Sequence, residues 1–279
     1  MFSRMLFGDL LPIGAPILFG VCLVISAIGF WRTVYFISIG YGFSIAAMVV
    51  VSLSAAAAHA SPAAWIVGAL LVVYGVRLGV YLARREAKAS YRRTVDADGD
   101  RNRPIGIGVS VAIWITVSLL YVAMMMPLVA RLSAESRGMR GDAPWLAWAG
   151  AAIMALGILV ETVADRQKSL AKERAPNRFC DIGLYRVVRC PKYFGELLVW
   201  TGNLVAGAAL LENWLQWTLA AVGYLAIFLV MKGSARRLEL KQGDRYGADP
   251  EYQAYVKRVP ILFPLVPIYS FRNAKVYLG

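Results

Sequence analysis

The chain has 279 residues, of which 59% are apolar and only 17% charged, yet its formal charge is +13. A water-soluble domain carries about a quarter of its residues as charges, so this composition points to lipid as solvent and excludes disorder, coiled coil and a disulfide-built secreted scaffold. Three scattered cysteines, Cys22, Cys180 and Cys190, and a single histidine, His59, exclude a Cys-rich metal site and most zinc or histidine-base chemistry.

Apolar runs of about 20 residues, the length that crosses a bilayer, fall at 10–30, 34–57, 63–83, 105–130, 144–163, 195–212 and 214–232. The first reads as a retained span rather than a cleaved leader, because Asp9 stands where a basic region should pass into the apolar core and Pro12 and Pro16 interrupt the run. Lys and Arg between the runs number 25 on one side and 4 on the other, with Arg77 inside the third run. By the positive-inside rule the N-terminus is exoplasmic and the C-terminus cytoplasmic. The expectation is an all-α integral membrane protein of about seven transmembrane helices. With no internal repeat or linker, residues 1–279 read as one domain, in a bacterial inner membrane or an endoplasmic reticulum.

In chain order, Ser38, Tyr41 and Ser44 recur every three residues on the second run. They suit either helix–helix hydrogen bonding or the wall of a cavity. On the third run Tyr74 and Arg77 are polar groups within an apolar segment, either a buried structural pair or a cavity-lining pair. The basic stretch 84–104 (Arg84, Arg85, Lys88, Arg92, Arg93) is what insertion and anionic lipid require, and no nucleic-acid platform accompanies it.

Glu161, Asp165, Lys168 and Lys172 recur at helical spacing where the fifth run ends. They read as an ion-pair ladder or as a pocket for an anionic, hydroxyl-bearing ligand, whose ribose favours carboxylates and whose phosphates favour Lys or Arg. Arg178, then Arg189-Cys190-Pro191-Lys192-Tyr193-Phe194-Gly195-Glu196, lead into the sixth run, with Pro191 placed to start its helix. Arg237, Glu239, Lys241, Arg245 and Tyr246 leave the seventh run, and a tail with Pro260, Pro264 and Pro267 reads as folding back over a site as a lid.

At these residues the sequence resembles the membrane steroid 5-alpha-reductases and sterol C14-reductases, from Glu161 onward and, less extensively, at the third run. Asp165-Arg-Gln167-Lys168-Ser-Leu-Ala-Lys172 is similar to their Asn-x-Gln-Lys-x-x-x-Arg element, and Arg189–Glu196 to Arg-His-Pro-Asn-Tyr-Phe-Gly-Glu, with Cys190 and Lys192 in place of His and Asn. Tyr74-Gly-Val-Arg77 matches Tyr-x-x-Arg, and Arg237 to Tyr246 with Val259-Pro260 resembles a C-terminal cofactor clamp.

The resemblance implies NADPH as cofactor, held by Asp165, Lys168, Lys172, Arg178, Lys192, Tyr193, Glu196, Arg237, Glu239 and Tyr246 in the half 144–279. It implies Tyr74 and Arg77 as catalytic groups and Ser38 and Tyr41 facing a lipidic substrate in the half 1–130. The implied reaction is reduction of a conjugated C=C bond in an enone such as a 3-oxo-4-ene steroid. Two rivals stay open. One is an S-adenosylmethionine-dependent isoprenylcysteine or phospholipid methyltransferase, whose Tyr-x-x-Tyr-x-x-x-Val-Pro ending Tyr252, Tyr255, Val259 and Pro260 reproduce. The other is a non-enzymatic transporter or lipid-binding protein, which would carry charges along a continuous transmembrane path.

Overall fold

The structure is a computed structural model of the chain, and it describes residues 11–12, 14–87 and 106–278. Arg4 and most of the basic stretch 84–104 lie outside the described residues. Among the described residues the fold is all-helical, with α1 Ala15–Ser26, α2 Ile39–Ala56, α3 Pro62–Ala87, α4 Ile107–Ser136, α5 Trp145–Arg174, α6 Pro191–Gly207, α7 Trp214–Tyr246 and α8 Pro250–Arg258. Short 3-10 turns follow α1, precede α2 and follow α6.

Five helical segments are long and apolar enough to cross a membrane: Thr33–Ala56, Pro62–Ala87, Ile107–Ser136, Trp145–Arg174 and Trp214–Tyr246. These make the chain a multi-pass membrane protein. The first and sixth predicted spans fold as shorter apolar helices, α1 of 12 residues and α6 of 17. The long helices outrun their apolar stretches. The 33 residues of α7 extend about 50 Å at 1.5 Å per residue, against a hydrocarbon core of about 30 Å, so the polar end of α7 projects beyond the bilayer.

Local sequence sets the helix starts. Pro191 is the first residue of α6, where a missing N–H costs nothing. Asn213 Oδ1 accepts from Leu215 N and Gln216 N at 3.1 and 3.0 Å to cap α7, and Asp249 Oδ1 accepts from Glu251 N at 2.9 Å to cap α8.

The chain folds as two compact units, Met1–Ala151 with Asn203–Gly223, and Ala152–Gly202 with Tyr224–Gly279. In the first unit α2 and α3 cross on glycine. A Cβ on Gly42 would lie 2.7 Å from Gly75 O, and one on Gly75 would lie 2.5 Å from Gly42 O, so no side chain fits at either position. With Gly79 also at the contact, this is the small-residue spacing that lets membrane helices approach closely. Gly75→Val should therefore force the two helices apart and cost about 1–3 kcal/mol, the usual range for overpacking. Its check is the midpoint of SDS-induced unfolding from a mild detergent, compared with the exposed change Val73→Ala.

The first unit also buries a charge pair. Arg131 and Glu135, 3% and 1% exposed, form an i,i+4 salt bridge at 3.0 Å. Glu135 accepts from Ser61 N and Ser61 Oγ at 2.8 Å each, and Arg131 Nη1 donates to Ala206 O at 2.8 Å. Satisfied on several sides, the two ions tie together α4, the start of α3 and the end of α6.

In the second unit α5 and α6 cross in the same glycine-dependent way, since a Cβ on Gly157 would lie 2.6 Å from Gly195 O. The tail folds back as the prolines suggest: Arg189 N donates to Pro260 O at 2.9 Å and Cys190 N to Ile261 O at 3.0 Å. Phe271 N donates to Glu239 Oε2 at 2.8 Å and Leu278 N to Leu229 O at 3.2 Å, which lays the last residues along α7.

Candidate functional site

The glycine crossing of the first unit positions a pair of tyrosines. Tyr41 precedes Gly42 on α2 and Tyr74 precedes Gly75 on α3, so the close contact brings their side chains together. Their hydroxyl oxygens are 3.0 Å apart and either can donate. Tyr74 is fully buried and Tyr41 nearly so. Tyr121 from α4 packs its ring 5.0 Å from that of Tyr41 and donates its own proton to Phe36 O at 2.9 Å. Tyr41 thus makes a helix-to-helix hydrogen bond with Tyr74. Arg77 lies nearly one turn further along α3 and is half-buried. Ser38 is turned the other way chemically, donating to Val34 O at 2.8 Å in the turn before α2.

The polar residues of the second unit gather at the ends of α5, α6 and α7. Asp165 on α5 pairs with Lys192 on α6 at 3.4 Å, both partly exposed. Asp165 thereby takes part in a bridge between helices. Lys168 is half-buried nearly one turn beyond Asp165. Gln167 holds the turn that leads to α6: its Oε1 accepts from Leu184 N at 2.9 Å, and its side chain occupies the space a Cβ on Gly183 would need, where φ is +55°. The close approach of Gly195 to Glu161, whose Cγ would be 2.7 Å from an added Cβ, fixes a fully buried carboxylate beside the same crossing. Glu196 is buried and Tyr193 half-buried on α6.

Other predicted cofactor residues are occupied by the protein itself. Lys172 Nζ donates to Tyr246 Oη at 2.8 Å and to Pro176 O at 3.3 Å, and also to Arg178 O, which uses its three protons. Arg178 is exposed and paired with Asp181 at 3.0 Å and Glu251 at 2.6 Å. Glu239 is buried and bridges Arg189 at 3.3 Å, while Arg237 beside it is exposed and contacts Ser234. Tyr246 lies in a buried aromatic cluster with Phe179, Tyr252 and Tyr255. Tyr255 Oη donates to Tyr185 O at 2.8 Å, and burial raises the pKa of both phenols. Tyr252 and Tyr255 of the terminal Tyr-x-x-Tyr pattern are both buried in this cluster. Burial also pushes the Cys190 thiol up to about 12 and raises that of Cys180, leaving both protonated and inert at neutral pH.

The Arg189–Glu239 bridge and the Arg131–Glu135 pair are two polar contacts that sequence reasoning missed. The second had a signal, a cation and an acid four residues apart at the end of an apolar run. The first joins residues 50 apart in sequence and had none.

The donor set of the second unit suits a phosphorylated dinucleotide. Lys168, Lys192 and the exposed Arg237 supply cations and Asp165 a carboxylate, and the Asp165–Lys192 pair sets an acid beside a base between α5 and α6. Lys172 and Glu239 fit less well, their polar atoms already being engaged.

No solved structure matches this chain. An uncharacterized protein of Schizosaccharomyces pombe is 34% identical over 82 residues, 29% of this chain and 22% of that relative, so the likeness spans about a fifth of its length. A family profile described as "Protein of unknown function (DUF1295)" matches residues 24–259, from within α1 to the end of α8. The chain belongs to the DUF1295 family.

Proposed function

We propose that this protein is an NADPH-dependent reductase of a conjugated C=C bond in a lipidic enone, with 3-oxo-4-ene steroids or sterol-like ketones as the substrate class. The observation that carries this reading is the buried Tyr41–Tyr74 hydroxyl pair within an apolar helical unit. A phenol donating to a ketone oxygen stabilises the enolate charge that develops when the β-carbon is reduced, and does so most strongly where water is excluded. With Tyr41 donating to the Tyr74 oxygen, the Tyr74 hydroxyl is the donor to the ketone oxygen in this reading. Arg77 adds positive potential nearly one turn away.

NADPH, when bound, supplies the hydride. Lys168, Lys192 and Arg237 hold its phosphates in this reading, and Asp165 accepts from a ribose hydroxyl. Tyr193 and Glu196 follow Lys192 on α6, and Lys172, Tyr246, Glu239 and Arg178 brace the ends of α5 and α7 and the tail around these groups. A proton from solvent completes the α-carbon, so enone, NADPH and one proton give the saturated ketone and NADP+.

We read the topology as seven spans, counting α1 and α6, with the N-terminus exoplasmic and the C-terminus cytoplasmic. The 25-to-4 partition of Lys and Arg supports it. The membrane is a bacterial inner membrane or an endoplasmic reticulum. Lipidic substrate then arrives from the bilayer and cofactor from the basic aqueous face.

The test is cofactor binding to the purified protein in detergent. NADPH should bind, and Lys168→Ala should weaken it about tenfold or more, the value of one charge-assisted contact. Binding of S-adenosylmethionine with no affinity for NADPH would end the reductase reading in favour of a methyltransferase.

A further inference from the structure

After α8 the chain carries no charge from Val259 to Phe271, yet Lys257 and Arg258 precede this stretch, Arg272 and Lys275 follow it, and all four are exposed. Its base is built into the second unit. Ile261 and Leu262 are fully buried, and Ile261 N donates to Ile268 O at 2.9 Å, closing residues 261–268 into a loop. The tip is the opposite: Leu265 is 96% exposed, and Val266, Ile268 and Tyr269 are exposed beside it. Leu265 also has φ +65°, a left-handed conformation that a branched apolar residue adopts at a cost. Folding in water gives no reason to hold a leucine there.

Depth supplies one. Phe263 stacks on Phe228 of α7, centroids 6.2 Å apart, and meets Phe194 of α6 edge-on at 6.4 Å. Phe228 precedes Lys232, the first charge of α7, by four residues, which is about 6 Å inside the apolar stretch. The exposed faces of Val222 and Leu225 continue the same surface along the helix. The loop backbone presents few donors at its tip. Pro260, Pro264 and Pro267 have no N–H, while Val266 N donates to Phe263 O at 3.4 Å and Ile268 N to Val266 O at 2.7 Å. This suits the shallow interfacial part of a leaflet, where the remaining polar groups still reach water.

We propose that residues 263–268 form a lipid-inserted loop, a non-helical wedge whose Leu265 and Val266 lie among the acyl chains of one leaflet while Lys257, Arg258, Arg272 and Lys275 meet the anionic headgroups around it. The basic residues flanking an uncharged tip select a bilayer surface as the occupant rather than another protein. The inference rests on the membrane character of α7 and not on the reductase reading.

The test uses the full chain carrying Leu265→Cys, or separately Val266→Cys, labelled with an environment-sensitive fluorophore in vesicles of phosphatidylcholine and phosphatidylglycerol. Wild type is the labelling blank, because Cys22, Cys180 and Cys190 are buried. Ala254→Cys on the exposed side of α8 is the aqueous reference. The probes at 265 and 266 should emit to the blue of the probe at 254. A lipid spin-labelled on its acyl chain should quench them severalfold more, and iodide severalfold less. Water-like emission with iodide quenching equal to the reference would overturn the proposal. Shielding from both quenchers would overturn it too, since that means a protein surface covers the loop.

Discussion

Tyr74→Phe is expected to leave the protein folded and NADPH binding unchanged while enone reduction falls about 10²- to 10³-fold, the loss that follows removal of one donor to a developing oxyanion. The substitution deletes one oxygen from a fully buried ring and breaks the 3.0 Å contact with Tyr41. Tyr41→Phe keeps the Tyr74 proton and removes only its orienting partner, so a smaller loss of about tenfold is expected. Under the proposed function the two variants separate roles: the first removes the group that would meet substrate, the second the group that would aim it. Turnover of the lipidic enone in reconstituted vesicles, with cofactor binding measured on the same preparations, is the check. Full activity in Tyr74→Phe would take Tyr74 out of the mechanism.

The largest stability effect is expected at Arg131. Arg131→Met leaves the Glu135 carboxylate, 1% exposed, with its two bonds from Ser61 but without its countercharge. Breaking a buried pair from one side costs about 3–5 kcal/mol, whereas Arg131→Met with Glu135→Leu removes both ions and recovers much of that. Unfolding in SDS, followed by tryptophan fluorescence, measures both. A single-variant loss of about 1 kcal/mol or less, typical of an exposed ion pair, would show that the pair is solvated.

Hydropathy located the helices because lipid requires long apolar runs, and the runs at 63–83, 105–130, 144–163 and 214–232 correspond to Pro62–Ala87, Ile107–Ser136, Trp145–Arg174 and Trp214–Tyr246. It misplaced their ends, because a helix loses its apolar character at the headgroups while its backbone hydrogen bonds continue into water. At 10–30 and 195–212 the apolar signal persists through 3-10 turns, so α1 and α6 are shorter than their runs.

The site was legible in residue type and not in pairing. Tyr74 and Asp165 stood out as polar groups in apolar surroundings. Their partners Tyr41 and Lys192 come from other helices, and the register between helices depends on which glycines meet, here Gly42 with Gly75 and Gly157 with Gly195. Lys172 and Glu239 matched a motif, yet their engagement with Tyr246 and Arg189 depends on how α7 packs against α5 and the turn before α6.

The crossing of α2 and α3 has a mechanical consequence. Two backbones already in contact cannot be compressed, so the spacing of Tyr41 and Tyr74 has almost no compliance. Outward-facing positions of the same helices, such as Val50, Val73 and Val76, are about half exposed and bear none of that load. The surface these helices present to the bilayer can therefore be rebuilt without displacing the paired hydroxyls.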